Sequence, residues 1–276
     1  MGRPLKVAAV MYDPRVSVIW EIIRHFFESQ SCPIDVAFYS TYDLQVAALL
    51  DQTIDIAWNS PLAWLDSQRR SGGACRAIAM RDTDRDRVSY FVARRDGPVK
   101  TLADLRGRTL ATGALDSPQA MLIPLGRLRR DGVDPEADLT VRGFDVLLGK
   151  HGDHVGGERD AFECVRRGEA AACAMLDLNW DGWTRDGTID ADQFTIVAET
   201  DRFDHCVFTV RRDFDLAAEQ HWLDALFAMR YDNPAHREMM DLEGLKAWQP
   251  GRTSGFGPLT EAVAAERFFE PTSRRD

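Results

Sequence analysis

His151, Asp153, His154 and Glu158 form the densest group of potential ligands in the chain, within the glycine-rich stretch KHGDHVGGERD. Two imidazoles and two carboxylates suit a divalent metal such as Zn or Fe with one position left open. The same residues could work without a metal, His154 and Glu158 acting as acid and base. The spacing is not HExxH and matches no established metal motif, so a solvated loop is the plain alternative. His205 beside Cys206 offers a second constellation, a thiol with its base. Adjacent residues on a strand point to opposite faces, which weakens the pair and leaves either residue alone to line a site.

Two further stretches carry chemistry through the backbone. Residues 108–132, RTLATGALDSPQAMLIPLGRLRRDG, read as a strand, a turn at Gly113, and a helix capped by Ser117 with Pro118 in its first turn. The amides of such a first turn, with the positive end of the helix dipole, suit an anionic or strongly polar group. Asn59-Ser60-Pro61 repeats the device after the apolar run Ile54 to Trp58. Ser117, Gln119, Asn59 and Ser60 are therefore candidate ligand contacts on two facing edges. Tyr12, Tyr42 and Trp58 fall at or near strand ends, where rings could stack on a ligand; for Trp58 a core position explains the residue equally well. Asp13, Asp116 and Asp177 also fall near strand ends, where capping or a turn is the plain reading. Gathered at one site they would favour an amine, a polyol or a metal over phosphate, because a carboxylate repels a dianion.

The elements that must position these groups alternate. Strands are expected at Leu5–Met11, Ile34–Tyr39 and Ile54–Trp58, with helices at Val16–Glu28 and Asp43–Asp51, a rhythm that implies a mostly parallel sheet flanked by helices. Ligands of such sheets gather at the carboxyl ends of the strands. RDTDRDR at 81–87 is too charged for any core and marks the chain leaving its first lobe. Beyond it come strands at 88–94, 109–112, 139–142 and 170–176, an apolar strand-like run at 144–149, and a helix at 158–167 closed by Gly168. Strands at 194–198 and 206–211 follow, then helices from Ala217, a break at 248–251 and a closing helix at 259–269.

Composition narrows the function. The 276 residues carry a formal charge of −10, which excludes nucleic acid as a main partner, since phosphate backbones need clustered cations. The apolar runs are too short for a membrane span. Five cysteines without CxxC spacing favour free thiols and a reducing compartment. The sequence from Met1 lacks a secretory signal pattern, so a cytoplasmic location is expected as it stands, and a periplasmic one if a signal was removed.

DIAWNSPLAWL at 55–65, VKTLADLRGRTLATGALDSPQA at 99–120, VRRGEAAACAML at 165–176, FTVRRDF at 208–214 and YDNPAHREMMDLEGLKAWQP at 231–250 resemble the type 2 periplasmic solute-binding proteins, specifically the phosphate and phosphonate binders of ABC importers. The resemblance implies an α/β fold of two lobes, each a mostly parallel sheet flanked by helices, joined by two crossing strands and closing like a hinge on a ligand. Residues 1–88 and 207–276 would form lobe 1 and 89–206 lobe 2, with the ligand cleft between them. It implies a phosphonate-like or other small oxyanion as ligand, and an ABC importer permease as partner if the chain is exported, or a sensor role. It also places a ligand-binding His in the second lobe, so His151 or His154 ranks as ligand contact ahead of exposed loop and of metal ligand. His205 and Asp177 complete the candidate set. Some proteins similar to this family are cytoplasmic enzymes, so the alternative is an enzyme on the same fold acting on a small metabolite, with His154, Glu158 and His205 as catalytic candidates and a divalent metal as the cofactor the residues suit.

Overall fold

The computed structural model describes residues 3–152 and 157–270. In chain order the elements are β1 (Leu5–Val10), α1 (Arg15–Ser29), β2 (Ile34–Tyr39), α2 (Tyr42–Leu50), β3 (Ile56–Asn59), α3 (Pro61–Ser71), β4 (Cys75–Arg81), β5 (Ser89–Arg94) and β6 (Thr109–Thr112). A π-helical turn (Pro118–Leu122) runs into α4 (Ile123–Arg130), followed by β7 (Thr140–Gly143), α5 (Glu158–Arg166), β8 (Ala172–Leu176), α6 (Asp177–Arg185) and β9 (Phe194–Glu199). β10 (Val207–Arg211), α7 (Leu216–Phe227), α8 (Pro234–Leu242), β11 (Trp248–Pro250) and α9 (Gly257–Ala265) close the chain. They form two compact units, residues 1–85 with 204–255, and 86–203 with 256–276.

The first unit is built on a six-stranded sheet of order β11-β4-β10-β3-β1-β2. β1 pairs parallel with β2 and β3, and β10 lies antiparallel between β3 and β4. Its core is aromatic. Phe208 on β10 meets Trp58 at 4.5 Å, Trp222 at 4.8 Å and Trp248 at 5.5 Å between ring centroids, and Trp222 stacks on Phe27. Trp58 thus fills a core position. α1 contributes Val16, Trp20, Ile23 and Phe27, the inward stripe of an amphipathic helix.

The second unit has the sheet order β7-β6-β8-β5-β9. β6 runs parallel to β7 and β8, and β5 antiparallel to β8 and β9. Both faces are covered. Phe91, Leu110 and Ala172 belong to one apolar cluster, while their neighbours Val92, Ala111 and Cys173 belong to another, as the two-residue period of a strand dictates. Every residue of β8 is buried.

Several elements depart from the sequence expectation. β4 and β11 are additional strands, paired antiparallel to each other. The apolar run at 144–149 forms consecutive turns rather than a strand; Leu147 has a positive φ of 62°, and Val146 and Leu148 face outward. α6 is an additional helix, which Asp177 opens directly after β8 from its first position, with Leu176 as the cap residue. The closing helix packs on α4 in the second unit, where the expected division put residues 207–276 together in the first. The close approach explains it: a Cβ on Gly126 would sit 3.1 Å from the Cβ of Ala262. The charged stretch at 81–87 is not wholly outside a core, since Arg81 and Asp84 are buried.

Candidate functional site

In the second unit β6 delivers Thr112 to the carboxyl end of the sheet, where Gly113 N donates to Ala120 O at 3.1 Å and closes the turn. Ser117 caps as its sequence position requires, its Oγ accepting from Ala120 N at 3.2 Å. The Ser117 carbonyl accepts the amides of Met121 and Leu122 at 3.2 and 3.0 Å. This turn therefore spends several of its donors internally. Three acceptors beside it, Thr112 Oγ1, Asp116 Oδ1 and Gln119 Oε1, are buried without a protein hydrogen-bond partner. Buried polar atoms are paired as a rule, so three orphans on one strand-turn-helix segment mark it as a place where another molecule's polar groups belong.

Asp116 turns away from the role of exposed repelling charge. Its Oδ2 accepts from Gly149 N at 2.6 Å, and Asp145 Oδ1 accepts from Leu115 N at 2.9 Å, so two carboxylates tie residues 145–149 to the turn before Ser117. Burial raises the Asp116 pKa, and its backbone donors pull it back. His151 is half-buried with φ 56°, and desolvation holds its imidazole well below the ordinary value, hence neutral. Asp177 is buried at the head of α6 and meets Arg87 at 3.4 Å. Desolvation raises its pKa, and Arg87 opposes the rise.

Glu158 opens α5 and is fully buried. Its Oε2 accepts from Leu176 N at 2.8 Å and Asn179 Nδ2 at 2.7 Å, and its Oε1 accepts from Gln119 Nε2 at 3.3 Å. Burial pushes the carboxyl up to about 7. Gly157, with φ 80°, lets the chain enter this position: a Cβ there would lie 2.1 Å from Phe144 O. Amide donors already surround Glu158, which is a poor setting for a cation. Asp153 and His154, the other members of the expected metal group besides His151, lie outside the described residues.

In the first unit Asn59 and Ser60 are both engaged. Ser60 Oγ accepts from Ala63 N at 3.1 Å, Asn59 Oδ1 accepts from Gln45 Nε2 at 2.9 Å, and Asn59 Nδ2 donates to Ser67 Oγ at 3.2 Å. Tyr42 is buried beside Val10, Val46 and Ala63. Tyr12 is half-buried after β1, and Asp13 is held by Arg15 at 3.0 Å, which lowers its pKa.

His205 and Cys206 precede β10 rather than lie on it, so strand alternation does not separate them. His205 Nδ1 stands 3.1 Å from Cys206 Sγ and 3.6 Å from Asp84 Oδ1. Among the described residues these three form the group of His, Cys and Asp close enough to share a metal, their ligand atoms lying within 4.8 Å of one another. The donor set fits a cation badly, because Arg81 already holds both oxygens of Asp84, at 2.7 and 2.9 Å, and also reaches Glu243 at 3.2 Å. His205 and Cys206 are 3% and 1% exposed.

Sequence reasoning did not find Gln45, Asn179, Arg87 or the buried set Arg81, Asp84 and Glu243. Asn179, three residues past the end of β8, carried the clearest signal, a polar residue just beyond a buried strand. Among the described residues no helix is long and apolar enough to cross a membrane.

The model of the family described as "ABC transporter, phosphonate, periplasmic substrate-binding protein" matches residues 14–258. An uncharacterized protein of Haemophilus influenzae is 48% identical over 48 residues, 17% of this chain and 68% of that protein. Among solved structures, PhnD1 of Prochlorococcus marinus in complex with methylphosphonate is similar at TM-score 0.73 and 14% identity, covering 95% of this chain and 98% of that one. A Xanthomonas citri protein bound to ATP has TM-score 0.72 and 18% identity over 97% and 98%. The aliphatic sulphonate binding protein SsuA of Escherichia coli has TM-score 0.64 and 13% identity over 97% and 89%. At these identities the structural likeness carries the fold.

Proposed function

Because the chain belongs to the periplasmic phosphonate substrate-binding protein family of ABC transporters, we propose that it reversibly binds a small organic oxyanion of phosphonate or sulfonate type and hands it to an importer's permease. The observation that carries this reading is the edge of the second unit at Thr112, whose buried unpartnered hydroxyl is able to donate to an oxyanion, beside the helix start capped by Ser117. Two of the carboxylates that would oppose an anion are engaged by cations, Asp177 by Arg87 and Asp13 by Arg15, and Asp116 gives one of its oxygens to Gly149 N. Neutral His151 is a further candidate contact, able to donate one hydrogen bond without charge.

Thermal unfolding and calorimetric titration with methylphosphonate, methanesulfonate and inorganic phosphate test the reading. A ligand at about 100 times its Kd stabilises the folded state by ~2.7 kcal/mol. The alkyl oxyanions are expected to raise the Tm more than phosphate does, and Thr112→Val or Ser117→Ala is expected to weaken them. Absence of any shift across the three, together with native mass spectra showing no bound anion on the protein as purified, would overturn it.

A further inference from the structure

We propose that Glu158 is a positioning residue of this edge, and that its proton decides which end of the Gln119 amide is turned away from it toward the ligand. The inference rests on the preceding reading, in which Gln119 belongs to the ligand edge. Glu158 is hydrogen-bonded to all three segments that shape that edge: the π-helical turn through Gln119, the end of β8 through Leu176 N, and α6 through Asn179. The Gln119 backbone is pinned from another side, its carbonyl accepting from Ser89 Oγ at 2.5 Å. Only the side-chain amide is left to turn.

The two protonation states demand opposite amide orientations. With Glu158 ionised, Gln119 Nε2 donates to Oε1 and leaves its own Oε1 buried without a partner. A proton taken from solvent goes to Glu158 Oε1, because Oε2 already accepts two shorter bonds. Two donors would then face each other across 3.3 Å. Rotating the amide by half a turn removes the conflict: Gln119 Oε1 accepts from the carboxylic acid, and Nε2 with its two N–H groups takes the former place of the orphaned oxygen. An ionised Glu158 thus presents a carbonyl, and a protonated one presents an amide donor, the group an oxyanion needs.

Among the described residues, the charged and titratable groups around Glu158 are few. Asp177, at the head of α6, raises its pKa, and the buried Cys173 thiol on β8 feels its charge in turn. Asp177 is paired with Arg87 and shares its surroundings with Asp181 and with Tyr90 on β5. β6 and the π-helical turn bring Thr112 and Gln119, neither of which titrates. Burial pushes Glu158 up to about 7, so both states are populated near neutral pH.

Protein labelled with 15N-glutamine tests this without a ligand. The Gln119 NH2 pair is assigned by its loss in Gln119→Met and followed between about pH 5.5 and 8.5, a window that brackets a carboxyl titrating near neutrality. The pair is expected to shift with a midpoint near pH 7 in the wild type, and to stay fixed in Glu158→Gln, whose amide mimics the protonated acid. An invariant pair in the wild type, or a shift that persists in Glu158→Gln, would overturn the proposal. Should that variant fail to fold, 13C-labelled glutamate in the wild type decides it, because the Glu158 carboxyl and the Gln119 amide must share one midpoint. Methanesulfonate, whose charge is constant, then reads the coupling: binding should be about tenfold tighter at about pH 6 than at about pH 8, as one linked proton requires. If the Gln119 amide follows Glu158 as described but methanesulfonate affinity does not change, the placing of Gln119 at the ligand edge falls; if the amide does not follow it, the switch falls whatever binds.

Discussion

Replacing Asp84 by Asn isolates the buried charge cluster of the first unit. The Asp84 side chain is 1% exposed and that of Arg81 is 9% exposed. Asp84 accepts two hydrogen bonds from the Arg81 guanidinium, at 2.7 and 2.9 Å, and one from the Cys206 amide at 3.2 Å. Asparagine keeps the shape but takes away the charge and turns one acceptor into a donor facing Arg81. Breaking a buried ion pair from one side costs about 3–5 kcal/mol, because the remaining ion stays buried uncompensated. Glu243, 3.2 Å from Arg81, keeps part of the compensation, so the lower half of that range is expected, about 3 kcal/mol. For a unit of this size that lowers the Tm by on the order of 10 °C. Urea unfolding followed by tryptophan fluorescence reads it directly, since Trp58 lies under Arg81, whose guanidinium carbon is 5.2 Å from the ring centroid. Asp43→Asn is the control: its pair with Arg70 is exposed and should be worth less than about 1 kcal/mol. Arg81 and the neighbouring His205 hold the Asp84 pKa depressed against its burial. Its stabilisation is therefore present above the unfolded value and lost only as pH falls through the depressed one, so wild type and variant should differ by a constant amount from about pH 5 to 8. A loss below about 1 kcal/mol, equal to that of Asp43→Asn, would refute the argument that this pair holds the segment down.

Glu158 predicts the opposite pH dependence. Its folded pKa of about 7 lies above the ordinary 4.5, so the folded state keeps a proton the unfolded state has released. Stability should fall by roughly 3 kcal/mol as pH rises between those values, and Glu158→Gln should flatten the profile, as denaturant melts at each pH will show. Gly157→Ala, strained at φ 80° and driven against Phe144 O, should destabilise the second unit by more than about 2 kcal/mol on thermal unfolding. Ser60→Ala removes the cap on Ala63 N and should cost about 1 kcal/mol by the same measurement.

The sequence made the helix starts and apolar strands legible because caps and strand periodicity are local. Ser60 and Ser117 cap the residues their positions imply, and β6 and β8 lie on the apolar runs read as strands. What it hid depends on partners far along the chain. RDTDRDR reads as solvent-facing because Glu243, which helps bury Arg81, is 162 residues away. β11 consists of Trp-Gln-Pro and exists as a strand only because β4 offers it an edge. The run at 144–149 is tied to the turn before Ser117 instead, Gly149 N donating to Asp116 Oδ2 and Leu115 N to Asp145 Oδ1. His205 and Cys206 meet because the pleat begins one residue later. Glu158 drew notice for its sequence neighbours, while its real partners are Gln119, Leu176 and Asn179.

The position of β10 between β3 and β4 also bears on the order in which the chain takes shape during synthesis. The second sheet has all its strands once Glu199 has been made, whereas the first keeps an open slot until Arg211 and lacks its last edge until Pro250. Until then the edges of β3 and β4 that β10 will occupy expose unpaired backbone groups, a template for wrong pairing with another chain. The sheet begun first on the ribosome is thus finished last, and its open slot persists while the second sheet is made.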